Sequence, residues 1–285
     1  MSPSLSARFS LEGRTAIITG AAAGLGLVIA EALAEAGANV ALLYFRNGEV
    51  IAAAQGIEKR YDIQGIYSYL SRAYQVDVTE SDAVEEAVDR VVMEFNGRLD
   101  IFIANSGMAW EETTVLSSQI SAYRHIMATN LDSVYFCARS AGKHFCRQHK
   151  EKTTFTGEPF AGEELVGFKR GSFIATASMS AHVVNYPHVQ TAYNASKAGV
   201  VHMCKSLAVE WADFARVNTV SPGFIRSGLT APVPEDVQDQ LKEKTPLRQI
   251  GELDEMKGVY LYLASDASSF TTGTDIIADG GYTLW

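Results

Sequence analysis

Cysteine is scarce in this chain: Cys137, Cys146 and Cys204 are the only three among 285 residues. Their number and irregular spacing exclude a disulfide framework and a cysteine zinc cluster, and all three fall in stretches of helical period, where they read as small core hydrophobes. Positive charge is short as well. The 24 Lys and Arg are outnumbered by 33 Asp and Glu, and the net charge of -9 argues against nonspecific attraction to nucleic acid or an anionic membrane. No apolar run approaches the roughly 20 residues a bilayer span needs. The opening MSPSLSARFSLEGR has neither the apolar core of a secretory signal nor an Arg-rich amphipathic pattern. The chain is therefore expected in the cytoplasm, with no nucleic-acid or membrane partner. His182 and His188 form no ligand cluster of recognisable spacing, so no metal is expected.

What the sequence does have is a repeated alternation. TAIITG is a short apolar strand, LGLVIAEALAEAG changes to a helical period, and NVALLYF is a second strand, so a βαβ unit opens the chain. YLSRAYQVDV contains the third strand, LDIFIANSG the fourth, GSFIATAS the fifth, ARVNTVSPG the sixth and TDIIADGG the seventh, with helical stretches between most of them. Short apolar strands separated by helices predict an α/β fold, a mostly parallel sheet covered on both faces. Two stretches break the rhythm. Residues 148–170 are polar and Gly-containing and read as a surface insertion, whereas residues 224–249 hold three prolines and a short helical period and read as a loop on the substrate side.

Chemistry-bearing residues cluster in two places. Thr19, Gly20, Gly24, Leu25 and Gly26 belong to T-G-A-A-A-G-L-G, at the exit of the first strand and the opening of a helix. Glycine there permits a sharp turn and lets a pyrophosphate approach the backbone, with the helix directing free N–H groups at it. Tyr193 and Lys197, in Y-N-A-S-K, stand four apart on one helical face. A carbonyl becomes an alcohol when carbon receives hydride and oxygen receives a proton. Tyr193 can supply or remove that proton, and a neighbouring ammonium, Lys197, would ease its ionisation.

Together these motifs resemble the short-chain dehydrogenase/reductase family, and the resemblance runs over nearly the whole chain. It implies a single-domain Rossmann fold with seven strands. Asn105-Ser106-Gly107 resembles the family's Asn-Ala-Gly segment; Asp77-Val78 resembles the pair at the adenine edge; Pro222, Gly223, Ile225 and Ser227 resemble the segment around the nicotinamide. Ser180 precedes Tyr193 by thirteen residues, a spacing similar to the family's catalytic pair, and is preferred over Ser178. Asn130, in M-A-T-N-L-D, matches the asparagine that holds a water reaching the lysine. The implied catalytic set is thus Asn130, Ser180, Tyr193 and Lys197, with Tyr193 and Lys197 also touching the cofactor.

The end of the second strand carries Tyr44, Phe45 and Arg46, and no carboxylate to grip ribose hydroxyls or repel a 2′-phosphate. NADPH/NADP+ is therefore expected ahead of NADH/NAD+, with Arg46 on the phosphate. Further segments, ATASMS, AYNASKAGV and TGTDIIADGGYTLW among them, resemble the fungal mannitol dehydrogenase, sorbose reductase and xylulose reductase branch. That branch implies polyol metabolism: reduction of a ketose to its polyol. Trp110, Ser180, Asn185, His188 and Phe224 are the substrate-contact candidates, with Gln190 a further sugar-compatible group. An apolar alternative is a bulky ketone held by Trp110, Val183, Val184, Tyr186, Phe224 and Ile225, and a non-catalytic cofactor-binding regulator is a third reading. Relatives of this kind also imply a homodimer or homotetramer.

Overall fold

The computed structural model describes residues 4–61, 70–110, 114–158, 162–186, 189–227 and 235–284. Seven strands, β1 (Thr15–Thr19), β2 (Asn39–Tyr44), β3 (Ser71–Gln75), β4 (Ile101–Ala104), β5 (Gly171–Thr176), β6 (Ala215–Pro222) and β7 (Asp275–Ala278), form one sheet in the order β3-β2-β1-β4-β5-β6-β7. Every ladder is parallel. A parallel ladder needs a crossover, and the helices that supply the crossovers bury both faces of the sheet. The central strands are therefore buried throughout and largely apolar, with successive residues feeding opposite cores. Ala16 and Ile18 join one cluster with α1 (Gly24–Glu35), α2 (Val50–Tyr61) and α8 (Lys257–Ala264), while Ile17 joins the other with α3 (Ser81–Phe95), α5 (Ser133–Glu151) and α6 (Thr191–Glu210). Phe102 and Phe173 stack at 5.7 Å in that second core.

Helix α2 lies where the sequence reading placed no element. It buries only Val50, Ala54 and Ile57. The long helical stretch before β5 is also more complex than its period suggests. It runs as α4 (Ile120–Met127), one π-helical turn (Ala128–Asp132) and α5. Residues 148–151 of the expected insertion complete α5, and Gln148 bonds both the N–H (2.6 Å) and the carbonyl (2.7 Å) of Leu99. The described residues of the remainder run along the amino ends of β4 and β5. Phe155 donates to the Gly97 carbonyl, Arg98 donates to that of Val166, and Leu165 and Phe168 are buried. The segment is thus fastened to the base of the sheet, away from the carboxyl ends of the strands.

The direction of winding switches between β1 and β4. Such a switch opens a crevice at the carboxyl ends of parallel strands.

Candidate active site

The carboxyl ends of the strands surround a cleft of about 540 Å³. Its floor is the turn from β1 into α1. Gly20 and Gly24 have φ of +64° and +57°, the left-handed region glycine tolerates. A Cβ on Gly26 would stand 2.3 Å from the Gly20 carbonyl oxygen and 2.8 Å from Asn105 Nδ2, so only glycine lets the turn close. The N-cap of α1 is Ala23, without a side-chain acceptor, and its first turn holds no acid. Its N–H groups are left to an anion. These features fit a dinucleotide pyrophosphate.

Thr19 lies beneath the cleft. Its hydroxyl accepts from the N–H groups of Asn105 and Ser106, both at 3.0 Å, while Asn105 Nδ2 donates to the Thr19 carbonyl and Asn105 Oδ1 accepts from Thr176. The exits of β1, β4 and β5 are tied together, which fixes the backbone that lines the cavity. Thr19 and Asn105 therefore hold the cradle's shape.

The second wall is α6. Lys197 is buried and its Nζ donates to the Thr176 carbonyl at 2.9 Å, 5.8 Å from the centroid of the Tyr193 ring. Burial lowers the ammonium from its ordinary 10.5 to about 8. The same desolvation raises the Tyr193 phenol, and hydrogen bonding with the Ser178 hydroxyl pulls it back. The Ser178 hydroxyl, two residues before the expected Ser180, is thus within hydrogen-bonding reach of the phenol. Ser178 lies two residues beyond β5 and caps a 3₁₀ turn, Met179–Ala181, accepting from Ser180 N–H at 3.1 Å. That turn carries Ser180 to another partner, Gln190, whose Nε2 donates to its hydroxyl at 3.1 Å.

Asn130 is fully buried in the π-helical turn. Its amide accepts from the Met108 N–H (2.8 Å) and donates to the Met108 carbonyl (3.1 Å) and Ser196 hydroxyl (3.3 Å). It thus moors the 107–109 loop to α6. A Cβ on Gly107 would sit 3.3 Å from Asn130 Oδ1 and 3.4 Å from Lys197 Nζ, so the glycine leaves room between them.

Of the residues expected at the site, Gly20, Gly24, Leu25, Gly26, Tyr44, Asn105, Gly107, Ser180, Asn185, Tyr193, Lys197, Pro222, Gly223, Phe224, Ile225 and Ser227 line this one cavity. Thr19, Arg46, Asp77, Val78, Trp110 and Asn130 do not line it, and His188 lies outside the described residues. Asp77 turns back on its own chain, accepting from the Thr79 N–H and hydroxyl. Arg46 lies over the ring of Phe45 at 4.9 Å, on the cleft's rim. His182 meets the Asp275 carboxylate at 2.6 Å, and Ser221 and Thr219 donate to that carboxylate too. It ties the turn after β5 to the sheet edge instead of facing the cavity.

Sequence reasoning missed the apolar lining of Phe45, Met108, Ala109 and Met179. Its signal was adjacency to residues already chosen. Beyond residue 227, α7 (Glu235–Lys244) is tied to the turn after β5, because Lys244 donates to the Tyr186 carbonyl at 2.9 Å. Among the described residues no helix is long and apolar enough to cross a membrane.

A glycine turn fit for a dinucleotide, sharing one cleft with a Tyr–Lys–Ser group, defines a nicotinamide-dependent oxidoreductase. The chain belongs to the short-chain dehydrogenase/reductase family: residues 14–157 match the model described as short chain dehydrogenase, and residues 161–283 match the one described as enoyl-(acyl carrier protein) reductase. It is 51% identical over 276 residues to an L-xylulose reductase of Hypocrea jecorina, covering 97% of this chain and 92% of that one. Identity to a sorbose reductase of Schizosaccharomyces pombe is 41%, over 98% of this chain and 99% of the other. Among solved structures, an NADPH-dependent 3-quinuclidinone reductase from Rhodotorula rubra superposes with a TM-score of 0.87 at 39% identity, covering 100% of this chain and 97% of that one.

Proposed function

We propose that this chain is an NADPH-dependent reductase that interconverts a ketose, or another ketone, and its alcohol. The observation that carries this reading is the placement of Tyr193, Lys197 and Ser178 in the cleft that begins at the glycine turn. A bound nicotinamide supplies or accepts the hydride. Tyr193 gives the carbonyl oxygen its proton, Ser178 holds that oxygen against the phenol, and Lys197 lowers the cost of the tyrosinate left behind. Asn130 acts by position, keeping the 107–109 loop off Lys197. Ser178→Ala is expected to lower kcat about 10²-fold. Ser180→Ala is expected to act mainly on KM. Steady-state kinetics on both variants decide, and the reverse order would return the oxygen-holding role to Ser180.

Cofactor preference follows from Tyr44, Phe45 and Arg46. No carboxylate stands at the end of β2, and the Phe45 ring holds the Arg46 guanidinium at the rim. Arg46→Ala is expected to raise KM for NADPH about 10-fold while moving that for NADH less than about twofold, since a charge-assisted contact to phosphate contributes about 1.5–3 kcal/mol. The reading as a whole is tested by initial rates of NADPH and NADH consumption with fructose, sorbose, xylulose and bulky ketones. Inactivity with all of them would overturn it.

The apolar wall of Met108, Ala109, Met179 and Phe224 supports a second reading, a bulky ketone. The same rate comparison separates the two. We also place the protein in the cytoplasm as a homodimer or homotetramer. Exposed Ile120, Tyr123 and Tyr135 on α4 and α5 and exposed Val209 and Phe270 support the self-association.

A further inference from the structure

One wall of the cleft is more polar than hydride transfer to a bare ketone requires. The turn leaving β5 meets the entry to α6 there. Gln190 Nε2 donates to Ser180 Oγ at 3.1 Å and to Asn185 Oδ1 at 2.8 Å, which uses both of its protons. Asn185 is 2% exposed, yet its Nδ2 has no hydrogen-bond partner. Turning both amides over exchanges nitrogen for oxygen but leaves the same end of Asn185 unpaired. A buried polar group left unpaired destabilises the fold, and such groups are few in folded proteins. All three residues line the cavity that holds Ser178 and Tyr193. Ser180 is two residues beyond Ser178 and Gln190 three before Tyr193, so the group borders the point of proton transfer.

We propose that Ser180, Asn185 and Gln190 form a subsite for a hydroxyl on the carbon next to the substrate carbonyl, which makes α-hydroxyketones, ketoses among them, the preferred substrate class. This rests on the reading of the chain as a carbonyl reductase. Asn185 has an amide group to give, and Ser180 keeps its own hydroxyl proton while accepting from Gln190. The oxygen of a substrate hydroxyl has two lone pairs and accepts from both. A ketone with only hydrogen or alkyl at that carbon leaves Asn185 unpaired inside a closed complex. Sites built around a substrate hydroxyl reject the analogue lacking it far more strongly than an apolar pocket separates homologues.

The test compares 1-hydroxy-2-butanone with 2-butanone, which differ by that one hydroxyl, under NADPH in the wild type and in Asn185→Ala. The ratio of kcat/KM for the hydroxyketone to that for the plain ketone is expected to fall about 10- to 100-fold in the variant. Intrinsic reactivity cancels in this comparison, because both enzymes meet the same two ketones. NADPH titration by fluorescence reports that the variant is folded. Gln190→Met keeps the side-chain length without its polar atoms and is expected to lower the same ratio, which covers an Asn185→Ala that does not fold. A ratio within twofold of wild type in the folded variants overturns the subsite and leaves the reductase standing. Wild-type failure on 1-hydroxy-2-butanone overturns the substrate class, and failure on xylulose and bulky ketones as well overturns the reductase reading itself.

Discussion

Tyr193→Phe is expected to lower kcat/KM for ketone reduction about 10³-fold, the middle of the range for a positioned general acid, while NADPH binding stays within about threefold. Phenylalanine keeps the ring that packs beside Lys197 and removes only the hydroxyl. What is lost is the proton delivered to the substrate oxygen, since the Ser178 hydroxyl and Lys197 ammonium remain in place. The direction of the Tyr193 shift fixes the pH behaviour. Burial raises the phenol, so its acid form is already present at neutral pH and reduction needs no activation. Alcohol oxidation needs the tyrosinate instead and is expected to accelerate with rising pH. Rates in both directions, with NADPH affinity measured by fluorescence titration, check this. Retention of more than a tenth of wild-type kcat/KM would mean that the proton comes from another group.

How much of this was legible in the sequence depended on whether a feature is local. The strands were readable because a sheet covered on both faces makes its central strands near-continuous apolar runs, as AII and IFIA are. The glycine turn and the Tyr193–Lys197 pair were readable because strand-to-helix turns and a four-residue helical spacing are set by neighbours in the chain. Helix α2 was not read, since its buried stripe of Val50, Ala54 and Ile57 is thin amid polar and alanine residues. The π-helical turn leaves no mark in composition, because any residue can occupy it. Ser178 and Ser180 show the limit most clearly. Counting back from Tyr193 picks out Ser180, whereas the 3₁₀ turn after β5, capped by Ser178, sets where each hydroxyl points, and a spacing in the sequence does not carry that geometry. Residues 148–170 read as surface from their polarity, but Gln148 and Phe155 bond Leu99 and Gly97 far back in the chain, Leu165 and Phe168 join the core, and a local pattern carries no such information.

Lys197→Met is expected to reduce activity about as severely as Tyr193→Phe and, unlike it, to stabilise the cofactor-free protein. The ammonium is 4% exposed and its one hydrogen-bond acceptor among the described residues is the neutral Thr176 carbonyl. Desolvation alone brings it from 10.5 to about 8. Below pH 8 the folded and unfolded chains both hold the proton, so the full burden of about 3 kcal/mol is present. Between about 8 and 10.5 the unfolded chain holds the extra proton, and stability contributed at this site rises with pH. Above that interval the burden is gone. Methionine fills the same space without charge, and losing the bond to Thr176 returns about 1 kcal/mol, so a net gain of about 2 kcal/mol at pH 7 is expected, seen as a Tm higher by about 5 °C. The gap between variant and wild type should shrink steadily toward pH 10.5. A variant no more stable at pH 7, or a gap indifferent to pH, would show that the ammonium is not the burden its burial implies. The same charge that weakens the resting fold is what makes the Tyr193 tyrosinate affordable, so folding stability and catalysis are opposed at this one nitrogen.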